Sequence, residues 1–455
     1  MIRWRVCLIV DNPLRDLDGL TLLAWQLAQQ NCEVWLVPMY EQAFDVRALD
    51  ADFVLANYAR VNNRTHLCSY RKEGIRVGVL DTEGVGGKNA DEFAKLVGSD
   101  IGASLVDLYC VWGSSQGDAL VAQQVVSLDA LRVTGCPRYD FCAPPWRDVL
   151  PKPAIEGGFV LVNTNFPTVT PRFSAGSGDE VRTMVNAGFE PAFAEAYIRD
   201  ARKAQAGIIA LLGELVDKFP LIKFILRPHP FESAEPYKAL VDKANFEVRQ
   251  EGTSIEWLNA CKVLLHLNCS TAVEASMLGK VAISPGWLDT SNLHIDGPHS
   301  VSLHASSPAD LIAQLAICID KTMPLVHESI EQRYHRIDGK SSQRVADAIL
   351  ETLGKPHRIV ALPDAPLRFR VAMNMRRLLG YRFARFLQSL GSNKQERKRR
   401  DGKLFTSDQV ESILGRIQAC VPGARAVEAR AMHSLRVAVP RWASGTSVCV
   451  SAIHD

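Results

Sequence analysis

The segment Arg227-Pro228-His229-Pro230 carries two side chains suited to binding a phosphate. It follows an apolar run, and its prolines fix the backbone where a strand must end. Arg227 offers a bidentate fork to an anion, and His229 offers a hydrogen-bond donor. The alternative is a loop histidine used for packing or capping.

A second motif, Cys269-Ser270-Thr271, follows the apolar run Val263–His266 and leads into a helical segment. Ser270 or Thr271 would cap that helix and leave backbone amides for a phosphate or carboxylate. Glu274 lies one turn further on. It would either complete the cap or hold a ribose, and capping alone is the competing interpretation.

An acidic motif, Asp81-Thr82-Glu83-Gly84, follows the predicted strand Arg76–Leu80. Carboxylates at the end of a strand are candidates for a general base or a nucleophile. A solvated acidic turn is the alternative. The glycines and lysine that follow do not form a Walker A loop, because the required Ser/Thr is absent.

The first predicted helix, Gly19–Gln30, is preceded by Arg15, Asp16 and Asp18. Asp18 would cap this helix, while Arg15 or Asp16 would face a substrate. These three residues are therefore candidates for an acceptor or cleft surface.

Gly113-Ser114-Ser115-Gln116-Gly117 matches the G-x-S-x-G pattern of a nucleophile elbow and lies between a strand and a helix. A serine hydrolase using Ser115 is therefore an alternative function. A glycine-serine turn between a strand and a helix gives the same pattern without catalysis, and an oxyanion segment of the HGGG type does not precede it.

Short apolar runs alternate with helical segments and predict parallel sheets with crossover helices. A proline-rich stretch near residue 150 separates two such series. We expect an α/β fold of two Rossmann-like, doubly wound domains facing a cleft, plus a basic C-terminal extension. The predicted boundaries are 1–145 for the N-terminal domain, 155–355 for the C-terminal domain and 356–455 for the extension.

The charge of the 455-residue chain is distributed unevenly. Its net charge is only +2, which argues against a polycation that coats nucleic acid. Residues 368–403 nevertheless hold 12 Lys/Arg against two acidic residues, a net charge of +10. This basic and apolar segment predicts peripheral contact with an anionic membrane surface, and packing against the protein is the alternative.

The 11 cysteines are scattered without a CxxC pair, and the sequence predicts no metal site. Scattered cysteines in apolar runs are typical of a reducing cytosol, and the apolar runs are too short to span a membrane. We therefore expect a cytoplasmic protein, with peripheral attachment at the inner membrane.

In motif order, the chain resembles the GT-B class of bacterial glycosyltransferases and, within it, the surface carbohydrate biosynthesis proteins. The resemblance covers about residues 5–350. The matching stretches are Val10–Gly19, Asp81–Gly84, Gly135–Asp140, Arg227–Pro230, Cys269–Glu274 and Asp338–Lys340.

A wider resemblance, to transferases that use CMP-activated acidic sugars of the sialyl and Kdo type, implies roles for these residues. Glu83 would be the catalytic carboxylate, with Asp81 the second choice. His229 would contact the donor, and Ser270 and Thr271 would hold phosphate. The N-terminal domain would then serve the acceptor and the C-terminal domain the nucleotide-sugar donor.

The expected function is transfer of a sugar from a nucleotide donor, with a CMP-linked sugar such as Kdo favoured, to a glycan or lipid-linked acceptor in surface polysaccharide biosynthesis. The nucleotide sugar is a substrate, and we expect no separate cofactor and no nucleic-acid partner. A teichoic-acid-type glycerophosphate transferase and a non-catalytic protein that binds sugar nucleotides would also fit these motifs.

Overall fold

The chain folds into two compact units in a computed structural model. The first unit comprises Met1–Val149 and Ile330–Asp455, and the second comprises Leu150–Ser329. The structure describes residues 4–60, 63–83, 89–98, 105–172, 180–186, 189–320, 328–356, 362, 364–391, 394–432 and 446–453.

Strands and helices alternate through most of both units. The strands are β1 (Trp4–Val10), β2 (Cys32–Pro38), β3 (Phe53–Ala56), β4 (Arg76–Leu80), β5 (Leu108–Val111), β6 (Leu131–Val133), β7 (Phe159–Asn163), β8 (Lys223–Arg227), β9 (Phe246–Val248), β10 (Val263–His266), β11 (Val281–Pro285), β12 (Leu303–Ala305), β13 (Val427–Ala431) and β14 (Val448–Ala452).

The helices cover the faces of the sheets or extend the C-terminal part. They are α1 (Pro13–Gln29), α2 (Gln42–Ala48), α3 (Arg64–Lys72), α4 (Ala90–Val97), α5 (Ser114–Ala122), α6 (Glu180–Asn186), α7 (Pro191–Lys218), α8 (Ser254–Ala260), α9 (Thr271–Met277), α10 (Asp296–Ser300), α11 (Pro308–Asp320), α12 (Glu328–Tyr334), α13 (Ser341–Gly354), α14 (Leu367–Gly391), α15 (Lys394–Asp401) and α16 (Ser407–Cys420).

The described sheet of the first unit has the strand order β6-β5-β4-β3-β1-β2-β14-β13. The six N-terminal strands run parallel, with β1 between β2 and β3. Cys7 of β1 faces Trp35 on one side and Val54 on the other. Because the order of the chain reverses at β1, the switch point between β1 and β3 is where such a sheet binds ligands.

The described sheet of the second unit has the order β9-β8-β7-β10-β11-β12 and is parallel throughout. This is the Rossmann order, and its switch point lies between β7 and β10. The predicted α/β class with two doubly wound sheets is confirmed. The central strands β7, β10 and β11 are buried on both faces, which explains why they read as continuous apolar runs.

Helix α1 starts earlier than predicted. Asn12 caps it, since the Asn12 side chain accepts the amide of Leu14, and Pro13 occupies the first turn. Gly19 lies in its middle, where a Cβ atom would stand 2.6 Å from the backbone nitrogen of Arg138. The glycine therefore permits α1 to pack directly on the loop that follows β6.

Helix α13 belongs to the first unit, whereas the predicted boundary at 355 assigned it to the second domain. The reason is Asp140, in the loop after β6, whose carboxylate accepts the amides of Ser341 and Ser342 at 2.7 Å each. Trp146 adds a bond from its indole nitrogen to the carbonyl of Gly339 at 2.8 Å. These contacts cap α13 from the first unit.

The C-terminal segment also folds onto the first unit rather than forming a separate extension. Strand β14 pairs antiparallel with β2, and β13 pairs with β14. Arg376 of α14 makes a buried ion pair with Glu41 at 2.9 Å. Lys403 binds Asp11 at 3.0 Å. Cationic side chains of the basic segment therefore form ion pairs within the first unit.

Candidate functional site

A network of carboxylates and arginines lies at the carboxyl ends of β1, β3 and β4 in the first unit. Arg60, which follows β3, donates to Asp81 at 3.2 Å and to Glu83 at 3.2 Å. Arg15 of α1 approaches Glu83 at 3.6 Å and donates to Asp16 at 2.8 Å. The structure thus brings together Arg15, Asp16, Asp81 and Glu83, four of the residues predicted from sequence.

Asp81 is the buried member of this network, with only 1% of its surface exposed. Burial raises the pKa of Asp81 to about 6, while the positive charge of Arg60 and the amide of Glu83 oppose the rise. That amide donates to Asp81 at 2.8 Å. A carboxyl group with this pKa changes charge close to neutral pH, in the range useful for proton transfer.

Glu83 is the accessible member, because 54% of its side chain is exposed. Its two carboxylate oxygens face different arginines, Arg60 and Arg15. A carboxylate held in this way reaches solvent while its orientation is fixed. This combination suits direct contact with a substrate, whereas Asp81 is placed to hold Arg60 and the backbone of Glu83.

Asn57 is a site residue that the sequence analysis missed. It follows β3, is 1% exposed, and neither its amide oxygen nor its amide nitrogen has a hydrogen-bond partner within the described residues. With Asp16, Asp81 and Thr82 it lines a cavity of about 20 Å³, roughly enough for one water molecule. Its position directly after a buried strand was the available signal.

Asp18 does not join this network. Because α1 begins at Pro13, Asp18 lies inside the helix and the predicted capping role is wrong. Its carboxylate instead lies 3.4 Å from Arg416 of α16. This contact attaches the C-terminal helix to α1.

In the second unit, the predicted serine-threonine motif lies at the switch point of the sheet. Asn163 at the end of β7 donates to the hydroxyl of Thr271 at 2.8 Å, which joins the ends of β7 and β10. Ser270 holds the N-cap position of α9 without a capping hydrogen bond from its side chain, and it is exposed. Ser270 is therefore accessible at the edge of the sheet where ligands bind in this topology.

The His229 loop is fixed by Glu232, a fully buried carboxylate that the sequence analysis did not identify. Glu232 accepts hydrogen bonds from Thr164, from Tyr237 and from the amides of Phe166 and His229. Burial raises its pKa, against the effect of these donors. The carboxylate ties the loop after β7 to the loop after β8.

The imidazole of His229 accepts the amide of Phe231 at its Nδ1 atom, at 3.2 Å. In a neutral ring the proton then resides on Nε2, which becomes the hydrogen-bond donor of the side chain. The predicted role of His229 as a donor to a phosphate agrees with this tautomer.

Arg227 has other partners than a phosphate. Its terminal nitrogens donate to the carbonyls of Glu251 and Gly252, the second at 3.0 Å, and its guanidinium stacks 5.1 Å from the ring centre of Trp257. Burial lowers its pKa to about 10. This geometry supports the loop after β9 and differs from the predicted bidentate contact with an anion.

Glu274 is buried, and its carboxylate accepts a hydrogen bond from the hydroxyl of Ser254 at 2.9 Å. This bond connects α9 to the start of α8. The predicted capping box is not formed, because Ser270 makes no side-chain capping bond. The carboxylate lies near Cys269, whose pKa is raised first by burial and further by the charges of Glu274 and Glu232.

Ser115 donates its hydroxyl proton to the carbonyl of Gln332 at 3.1 Å. A serine nucleophile would instead donate to a general base. The backbone at Gln332 packs directly on Gly113, so the glycine-serine turn serves the packing of the first unit.

A further cluster, which the sequence analysis did not predict, follows β11 in the second unit. Asp289, His294 and His299 each offer a ligand atom, and the three atoms lie within 4.8 Å of one another. The spacing of five residues between successive members was the available signal, but it matches neither the helical nor the strand period.

A membrane-spanning helix is not found: among the described residues, none of the helices is both long and apolar enough to cross a bilayer.

No protein-family model matches the chain, and a comparison with curated proteins also finds no match. Solved structures do match. A Listeria monocytogenes protein assigned as a UDP-N-acetylglucosamine 2-epimerase gives a TM-score of 0.50 at 12% identity, over 79% of this chain and 100% of that chain.

Two other similar structures give lower scores. The UDP-GlcNAc 2-epimerase of Methanocaldococcus jannaschii, solved with UDP-GlcNAc and UDP, has a TM-score of 0.49 at 10% identity, over 76% of this chain and 99% of that chain. The wall teichoic acid polymerase TagF has a TM-score of 0.44 at 12% identity, over 77% and 88%. The likeness at these identities concerns the fold alone, which is of the GT-B type with two Rossmann-like units.

Proposed function

We propose that this protein is a glycosyltransferase that uses a nucleotide sugar, with the second unit binding the nucleotide and the first unit supplying the carboxylate. The observation that carries the proposal is the accessible, doubly paired Glu83 above the buried Asp81 at the ligand-binding edge of the first sheet. The expected product is a surface polysaccharide or its lipid-linked precursor.

In the second unit, the Nε2–H group of His229 and the hydroxyl of Ser270 are the proposed donors to the nucleotide phosphate. Both follow strands that flank β7, at or next to the switch point. Donors placed where charge develops on a leaving phosphate lower the barrier to bond cleavage. Glu232 positions His229, and Arg227 supports the adjacent loop.

In the first unit, Glu83 acts as the general base. The acceptor hydroxyl gives its proton to Glu83 as its oxygen bonds to the anomeric carbon, and the bond from that carbon to the phosphate oxygen breaks with its electron pair. Arg15 and Arg60 hold the carboxylate in place. Asp81 is a positioning residue, because it holds Arg60 and the Glu83 amide.

The donor is proposed to be a CMP-linked acidic sugar such as Kdo, on the resemblance described above. Thermal unfolding with CMP, CDP, UDP and GDP tests this choice. A nucleotide at about 100 times its Kd should raise the melting temperature of the second unit by roughly 5–10 °C. We expect CMP to do so. A rise in melting temperature with UDP instead would indicate a UDP-linked donor. No rise with any nucleotide would refute the proposal that the protein uses a nucleotide sugar.

Glu83→Gln tests the proposed catalytic role of the first unit separately from nucleotide binding by the second unit. We expect it to keep the nucleotide response and to lose transfer activity by about 10²–10⁴-fold. His229→Ala should lose the nucleotide response. Glu214→Gln, the same change at an exposed position of α7, is the matched control. Full activity in Glu83→Gln would refute the assignment of the base.

The reaction class is tested by the products. Transfer from a panel of nucleotide sugars to glycan and lipid-linked acceptors should yield free nucleotide and a lengthened acceptor. Conversion of UDP-N-acetylglucosamine to its C2 epimer without an acceptor, or transfer of glycerophosphate from CDP-glycerol, would contradict glycosyl transfer.

We further propose that α14 attaches the protein peripherally to an anionic membrane. Leu367, Val371, Met375 and Leu378 follow one another at helical spacing and are 48–68% exposed. Exposed arginines flank this apolar stripe, among them Arg368. An apolar stripe flanked by cations suits the interface of a bilayer with anionic headgroups.

Flotation with vesicles tests this attachment. Deletion of 368–403 is unsuitable, because Arg376 and Lys403 are part of the first unit's interior. Val371→Glu combined with Leu378→Glu should abolish binding to anionic vesicles. Leu221→Glu, at a 96% exposed apolar position in the second unit, is the control. Unchanged flotation, or equal binding to neutral vesicles, would refute the proposal.

A further inference from the structure

The segment between β11 and β12, which includes α10, brings two imidazoles and a carboxylate together. The Nδ1 atom of His294 lies 2.8 Å from Oδ2 of Asp289, and Nδ1 of His299 lies 3.9 Å from the same oxygen. Ligands of a tetrahedral zinc ion at ordinary bond lengths stand about 3.4 Å apart. The two observed separations lie on either side of that value.

Residues around the cluster hold the ligands in place. The other oxygen of Asp289, Oδ1, accepts the side-chain amide of Asn268 at 2.6 Å, which leaves Oδ2 directed to the histidines. The ring of His304 stacks on His299 with centroids 3.8 Å apart, and its Nε2 atom is 2.8 Å from the His299 carbonyl. The hydrogen bond from Asn268 to Asp289 is of the kind that orients a carboxylate ligand of a metal ion.

The segment that follows Asp289 is also attached to helix α7. Thr290 and Asn292 both donate to the carboxylate of Asp200 on α7, at 2.9 and 2.8 Å. The segment just after Asp289 is therefore attached to the long helix α7, while Asp289 itself is attached to Asn268 in the turn after β10. A preformed arrangement lowers the cost of collecting the ligands around an ion.

We infer that Asp289, His294 and His299 bind a divalent transition metal, zinc by preference. Two imidazoles and one carboxylate favour Zn²⁺ over Mg²⁺ or Ca²⁺, which prefer oxygen ligands. Three protein ligands leave a fourth position of the tetrahedron for water or for an anionic oxygen. His294 and His299 are 35% and 45% exposed, so the site is open to solvent.

The test uses the full chain, freed of metal with a chelator, in a Cys420→Ser background, because this partly exposed thiol could bind zinc by itself. Zinc affinity is measured by competition with a fluorescent chelator, and Co²⁺ reports coordination by its visible absorption. We expect one Zn²⁺ per chain and an intense, four-coordinate Co²⁺ spectrum.

Single variants His294→Ala and His299→Ala should weaken zinc binding by about 100-fold or more. Asn268→Ala should weaken it by about 10–100-fold, as for a residue that orients a ligand. Asp242→Asn, at an exposed position of the same unit, should have no effect. Melting temperatures in chelator identify variants that misfold, and His294→Gln then replaces His294→Ala.

Two results would overturn the inference. One is the absence of saturable zinc binding at micromolar concentrations. The other is full retention of zinc binding and of the Co²⁺ spectrum in the His294→Ala/His299→Ala double variant, which would locate the ion elsewhere.

Discussion

Replacing Asp81 with asparagine should stabilise the first unit progressively as the pH rises. The folded protein raises the pKa of Asp81 from 3.8 to about 6. Between these two values the folded state holds a proton that the unfolded chain has released, so the wild type loses stability as the pH rises. Asparagine does not titrate and escapes this loss.

The size of the effect follows from the shift. At 1.36 kcal/mol per unit, the full shift corresponds to about 3 kcal/mol in the free energy of unfolding. Between about pH 4.5 and about pH 7.5, the stability of Asp81→Asn relative to wild type should increase by about 2 kcal/mol. A constant offset from altered hydrogen bonds to Arg60 and the Glu83 amide cancels in this comparison.

The assay is urea unfolding at both pH values, followed by tryptophan fluorescence. Trp25, Trp35, Trp112 and Trp146 are buried in the first unit, and substitution of Trp257 and Trp287 by phenylalanine in all proteins compared removes the signal of these tryptophans of the second unit. Asp118→Asn, the same change at an exposed position of α5, is the matched control. The free energy of unfolding of Asp81→Asn relative to wild type should not stay constant or fall as the pH rises. Either result would refute the conclusion that burial raises the pKa of Asp81.

Two substitutions test the buried carboxylates elsewhere. Glu232→Ala removes the acceptor for Thr164 and Tyr237 and should lower the free energy of unfolding of the second unit by about 3 kcal/mol or more; a loss under about 1 kcal/mol in urea unfolding would contradict this. Arg376→Leu leaves Glu41 buried without its closest cation and should lower the free energy of unfolding of the first unit by about 3–5 kcal/mol. Adding Glu41→Leu to the same chain should restore most of this loss. Equal losses in the single and double variants would contradict the prediction.

The parallel sheets could be predicted because a strand buried on both faces leaves a continuous apolar run, as in β1 and β10. The assignment of α13 could not, since it depends on Asp140, about 200 residues earlier in the chain, which caps the helix. Likewise, nothing local to β14 indicates that it pairs with β2. Contacts between distant segments decide these features, and local patterns do not contain them.

Some features of the candidate site could be predicted from local sequence, and others depend on contacts between distant segments. Asp81 and Glu83 could be found because they directly follow a strand. Asn57 directly follows β3, so the same criterion could have identified it. Arg227 also ends a strand, but which partner its guanidinium takes depends on Trp257 and on a loop 24–25 residues away. Position along the chain thus predicts the edge of the sheet, and packing decides the role.

Strand order adds to the case for the proposed site at these sheet edges. The switch point of each sheet is fixed by backbone pairing alone and depends on none of the motifs. In the first unit it lies between the end of β1, which leads into α1 with Arg15, and the end of β3, which leads to Asn57. In the second unit it lies where Asn163 bonds to Thr271. The motifs were recognised partly because they follow strands, and the strand order adds where the order of the strands reverses within each sheet.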